Sequence, residues 1–137
     1  MNMPMVDKII NLEKFIANNF ECIELPVKHF QIPGVYVRAL YITKGVVLTG
    51  KIHNFECINI VAKGSLCVTT NDDNETIILN EGMVFNSPAG TKRAGYALED
   101  TIYITVHKSD KIGISNIEKH LVSDTFEEYQ AQLEVLS

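Results

Sequence analysis

Between Val35 and about Val106 the sequence offers one short β-prone segment after another and no helical period. The segments are YVRALYI (36–42), VVLTG (46–50), CINIVAKG (57–64), SLCVTT (65–70), TIIL (76–79), MVF (83–85) and DTIYITVH (100–107). Turn-forming residues separate them, among them Gly45, Gly64, the NDDNE cluster at 71–75, Gly82 and Pro88-Ala89-Gly90. Strands this short and this frequent, with no helix between them, point to a sandwich or barrel. In the last segment Ile102, Ile104 and Val106 alternate with Tyr103, Thr105 and His107. One set faces the core and the other the opposite side of the sheet.

Helices are expected only at the two ends. Residues 7–18 carry Ile9, Ile10, Phe15 and Ile16 near one face, with Asp7 as cap and Asn18-Asn19 as stop. Near the other end, a helix over 124–136 is capped by Ser123 or Asp124. It repeats Phe126, Tyr129, Leu133 and Leu136 at helical steps. With 137 residues the chain is read as one domain, 1–137, with a barrel core over about 35–107.

Composition narrows the function. A formal net charge of −5 excludes broad coating of nucleic acid, which needs many phosphate-neutralising cations. No run of apolar residues is long enough to span a bilayer, so no membrane partner is expected. The three cysteines, Cys22, Cys57 and Cys67, are too scattered for a disulfide framework, and no CxxC pair suggests structural zinc. The first residues lack a basic stretch followed by an apolar run, so a cytoplasmic location is expected. Phosphate-loop, dinucleotide and nucleophile-elbow motifs are also missing.

Two segments carry a resemblance. GVVLTGKIHNFECINIVAKG at 45–64 and GMVFNSPAGTKR at 82–93 resemble the paired motifs of the cupin superfamily. Gly45, His53 and Gly64 stand in register with the first motif; Gly82, Pro88 and Gly90 stand in register with the second. The glycines also make sense on their own terms, since a turn needing positive φ is cheap only for glycine. The resemblance implies an all-β cupin-type β-barrel, a double-stranded β-helix or jelly roll, with short N- and C-terminal helices. SPAGTKRAGYALEDTIYITVH at 87–107 is also similar to small cupin proteins encoded by tailed phages. That likeness implies a host-cytoplasm location and, as one version of the role, capture of a host signalling nucleotide.

In metal-dependent members of the family, two His, a Glu and a second-motif His hold one divalent ion. Here those slots hold Lys51, His53, Cys57 and Arg93, and Ala97 replaces a final Asn. Lysine and arginine cations do not ligate at neutral pH, so no metal cofactor is expected. A variant site on His53 and Cys57, with Glu56 or His107 as third ligand, is the residual metal reading. Arg93 inside a low-dielectric barrel instead demands a counter-charge. The arrangement points to a cationic cup for a small anionic ligand such as a nucleotide or sugar phosphate. In it Arg93 holds the anion, His53 and Lys92 donate hydrogen bonds, Tyr96 lines the wall and Lys51 stands opposite.

The plainer alternatives stay open at this point. Arg93 can pair with Glu56, Glu99 or Asp100 at the rim. His107, next to Lys108, is expected on the surface, and Cys57 and Cys67 as small buried apolar groups. Two other functions compete with binding. One is a metal-independent epimerase or isomerase with His53 as base and Tyr96 or Tyr103 as acid. The other is an assembly role, with the terminal helices joining copies into a homodimer or larger homo-oligomer.

Overall fold

The computed structural model describes residues 5–70 and 75–136. Helix α1 spans Met5–Asn19. The strands that follow are β1 (Val27–Ile32), β2 (Val35–Ile42), β3 (Val47–Thr49), β4 (Ile52–His53), β5 (Cys57–Lys63), β6 (Ser65–Thr69), β7 (Thr76–Asn80), β8 (Val84–Ser87), β9 (Ala94–Ala97) and β10 (Thr101–Lys108). The chain closes with α2 (Ile114–Leu121), β11 (Val122–Ser123) and α3 (Phe126–Leu136).

The pairing is antiparallel throughout. A five-stranded sheet runs in the order β1-β2-β10-β5-β8, and a four-stranded sheet in the order β3-β9-β6-β7. A two-stranded ribbon, β11-β4, sits beside them. The all-β expectation therefore holds, with helices at the ends.

Period-two alternation decides what each strand turns inward. Leu40, Ile42, Val61, Leu66, Val68, Leu79 and Ala97 form the buried core between the two larger sheets. Leu25, Val27, Val46, Leu48, Phe85 and Tyr103 pack against it. On β10 the inward set is Thr101, Tyr103, Thr105 and His107, and the isoleucines face out.

Three features depart from the sequence reading. Residues 27–32 form a six-residue edge strand, β1, although Pro26 and Pro33 bracket it; both prolines lie just outside the ladder, where a missing N–H costs nothing. Residues 114–121 form α2, whose Ile117 and Leu121 bury against Tyr36, with Phe55 and Val122 alongside. The cap of α3 is Thr125, neither Ser123 nor Asp124. Thr125 Oγ1 accepts from Glu128 N at 3.1 Å, and Glu128 Oε2 reaches back to accept from Asp124 N, the residue before the cap, at 3.0 Å. The turn residues 71–74 and the side chain of Leu136 lie outside the described residues. Of the α3 stripe, Phe126 and Leu133 are each 43% exposed, while Tyr129 reaches toward Gly90.

Gly64 joins the two sheets. Its φ is +87°, and a Cβ there would collide with the backbone oxygen of Asp100 and with Thr101. Positive φ and a backbone clash both penalise any side chain. Gly64→Ala is expected to cost about 2–4 kcal/mol, the range of a named backbone defect with a steric one added. Chemical denaturation checks this; a midpoint equal to that of the parent chain would show the sheets are not held so closely.

Candidate functional site

The barrel interior is divided along its axis. At one end the inward residues are the apolar core. At the other, the same strands turn polar: β2 contributes Tyr36 and Arg38, β5 Cys57 and Asn59, β10 Thr105 and His107, and β8 Ser87. His53 ends β4, and Arg93 immediately precedes β9.

Backbone bonds fix His53 from two sides. Its N–H donates to Thr91 O at 3.0 Å, and its carbonyl accepts from Gly90 N at 2.7 Å. On the other flank, the ribbon pairs it with Val122. Buried Asn54 secures that flank, accepting from Ser123 Oγ at 2.7 Å and donating to His120 O at 3.0 Å. The His53 ring places Nδ1 3.3 Å from Cys57 Sγ and lies edge-on to His107, with ring centroids 6.1 Å apart. His107 Nε2 lies 3.0 Å from Thr105 Oγ1, and its ring stacks with Tyr36 at 5.9 Å.

Arg93 turns inward. It donates to Ser87 Oγ at 2.5 Å, and its guanidinium carbon lies 5.6 Å from the centre of the Phe85 ring. Ser87 Oγ also accepts from Asn59 Nδ2 at 2.8 Å, and Asn59 Oδ1 accepts from the Tyr103 hydroxyl at 2.8 Å. Tyr103, Asn59, Ser87 and Arg93 thus form one connected chain at the floor of the polar end, which holds the guanidinium in place.

Electrostatics follow from burial and from those two guanidiniums. Burial pushes the His53 imidazole down from 6.5 to about 4, helped by His107, Arg93 and Arg38. Burial, with Arg38, pushes His107 down to about 4 as well. Burial raises the Cys57 thiol to about 11 against the pull of Arg93. It raises Tyr103 too. At neutral pH both imidazoles, the thiol and the phenol are uncharged, and Arg38 and Arg93 carry the charge. Among the described residues no carboxylate lies within ion-pairing distance of either arginine.

The structure brings together only part of the expected set. His53 and Arg93 share the polar end. Lys92 does not join them: adjacent residues on an extended segment point opposite ways. Its Nζ lies 2.5 Å from Glu13 Oε1 and donates to Gly50 O at 2.6 Å, so it fastens α1 to the barrel. Lys51 faces away as well, pairing with Asp124 at 3.1 Å. It lines a separate cleft of about 450 Å³ between α2 and α3. Tyr96 lies outward on β9 and is 44% exposed, because Arg93, Gly95 and Ala97 take the inward positions. This removes Tyr96 as a catalytic acid and leaves Tyr103, whose hydroxyl donates to Asn59.

Sequence reasoning missed Arg38, Asn59, Ser87 and the burial of His107. His107 is only 8% exposed and does not sit on the surface. The signal was there in two cases. Arg38 shares a parity with Leu40 and Ile42, and His107 with Tyr103 and Thr105. The donor set does not fit a metal ion of the family type. Among the described residues no three His, Cys, Asp or Glu side chains are placed to hold one ion, and the Arg93 charge lies beside Cys57 and His53.

No protein-family model matches the chain, and no curated protein matches it. Solved structures do. KdgF from Halomonas sp. is similar at 22% identity over 63% of this chain and 81% of that one, with a TM-score of 0.52. An RmlC-like cupin with a double-stranded β-helix fold, from Methanocaldococcus jannaschii, is similar at 17% identity over 66% and 84%, TM-score 0.53. The EutQ protein of Clostridium difficile is similar at 16% identity over 64% and 70%, TM-score 0.52. The chain has the cupin-type double-stranded β-helix fold. No helix among the described residues is long and apolar enough to cross a membrane.

The two buried imidazoles tie stability to pH. Their folded values lie below 6.5, so below that pH the unfolded chain takes up protons that the folded chain refuses. Stability from this source is complete above about 6.5 and is lost as pH falls toward 4. NMR titration of the imidazole C–H signals is expected to show two histidines still neutral at pH 5.5, with the denaturation midpoint falling from pH 7 to 5.5. Four histidines titrating together near 6.5 would contradict this.

Proposed function

We propose that this protein binds a small organic anion in the polar end of its barrel, without catalysing a reaction. One observation carries the reading. Both arginines of the chain stand where the strands turn polar, and neither meets a carboxylate among the described residues. A buried or half-buried guanidinium without counter-charge favours an anion from outside. The fork of Arg93, held by Ser87, suits a carboxylate or phosphate bidentately. Arg38, neutral His53 and neutral His107 complete the donors, replacing Lys51, Lys92 and Tyr96 in that role.

Nucleotides and sugar phosphates are the anions to test first, and capture of a signalling nucleotide by a phage-encoded protein is one specific form of the role. Calorimetry against such a panel is expected to give a ligand tighter than about 0.1 mM, an ordinary small-molecule affinity. Arg93→Ala and Arg38→Ala are each expected to weaken it at least tenfold, the effect of losing one charge-assisted hydrogen-bonding partner. Lys92→Ala should lower the melting temperature by loosening α1 and leave the affinity unchanged. A panel without binders, or equal affinity in Arg93→Ala, would remove the proposal. Turnover of a bound sugar phosphate that is abolished by His53→Ala would establish the enzyme reading in its place.

A further inference from the structure

A groove of about 620 Å³ opens at the lip of the barrel beside the cationic end. Its lining comes from two sides of one sheet. Cys57, Phe85 and His107 are inward residues of β5, β8 and β10, and belong also to the polar end. Val35, Ile58, Val84 and Val106 are outward residues of β2, β5, β8 and β10. The groove therefore wraps over the strand ends and joins the barrel mouth to the outer face.

Its outer wall is mostly apolar, with Asn86 beside Ile58 as its polar member, and is open to water. Ile58 is 47% exposed and Val84 63%. Leaving such β-branched side chains in solvent forgoes about 25 cal/mol for each Å² that a partner would cover. Neither arginine lines the groove, but its inner residues adjoin the Arg93 charge. Phe85 carries the Arg93 guanidinium over its ring, and Cys57 feels the Arg93 charge. The same four neutral strand residues then lead away from it. The charged side chains lining the groove, Glu56 and Lys108, are both exposed and of opposite sign.

We propose that the ligand is an amphiphilic anion: a carboxylate or phosphate head on Arg93 and Arg38, and an alkyl or aryl body laid along Val35, Ile58, Val84 and Val106. This rests on the anion-binding reading and narrows it, since Val35, Ile58, Val84 and Val106 offer a body apolar area and no hydrogen-bonding side chain. The head is recognised by charge and hydrogen bonds, the body by area removed from water.

Chemical-shift titration with acetate, butyrate, hexanoate and octanoate tests it. Affinity is expected to rise about two- to fourfold per methylene, the gain from partial to full burial of each. Val84→Asp places a charge in the groove at an exposed position the fold tolerates. It is expected to flatten the dependence on chain length, while its own charge weakens every member, acetate included. Arg93→Ala is expected to weaken every member. If short anions bind but the series is flat, or Val84→Asp leaves its slope intact, the groove assignment is overturned and anion binding stands. If no member of the series binds and the nucleotide and sugar-phosphate panel is also empty, both fall together.

Discussion

A guanidinium keeps its charge at every pH a protein experiences, so wherever the fold turns one inward the surroundings must answer it. Here the answer is partial. Ser87 and the face of the Phe85 ring receive Arg93, and Asn59 and Tyr103 brace Ser87. These are dipoles and a quadrupole, without a full negative charge. The neighbouring titratable groups adjust instead: His53 and His107 stay neutral, and so do Cys57 and Tyr103. Among the described residues the polar end is thus a small region of positive charge without a counter-ion, in a chain whose net charge is −5.

That region is affordable because the other end of the barrel is dry and close-packed. The division falls at a similar level on several strands. On β2 it lies between Arg38 and Leu40, on β5 between Asn59 and Val61, and near β9 between Arg93 and Ala97. Val61 and Ala97 are fully buried. The apolar end supplies hydrophobic stabilisation that hydrogen bonds in the polar end need not provide. Elsewhere, among the described residues, Lys92 is the one ammonium drawn inside the fold, and it carries its own counter-charge in Glu13. The contrast with Arg93 is instructive: adjacent cations, one neutralised within the chain and one not.

Much of the architecture was legible because it depends on local rules. Turn residues and β-branched runs located most strands, and the glycine register at Gly45, Gly64, Gly82 and Gly90 matched positions that all have positive φ. Arg93 was legible as a cation at a motif position. Its neighbours were not, because spacing along a motif does not say which way a side chain points. Lys92 fell on the wrong parity, as did Tyr96 beside inward Gly95 and Ala97, and Lys51, just ahead of β4, turns out to Asp124 instead. β1 was hidden by the two prolines at its ends, and α2 by its brevity, since eight residues give barely two turns of period. Arg38 and Asn59 required knowing the pairing of distant strands, which no single segment encodes.

That distance along the chain has a kinetic side. β2 pairs with β10 from Val35 opposite Lys108 to Ile42 opposite Thr101, so the central contact of the larger sheet closes a loop of about half the chain. Such long-range pairing is slow to find, because closure entropy is lost before the contact rewards it. Arg38 and His107 meet only after that closure, and His53 and Arg93 arrive on segments inside the loop. A partly folded chain therefore presents no receptor at all, and any molecule that fits the finished cavity stabilises the native state alone, drawing the folding equilibrium toward it by mass action.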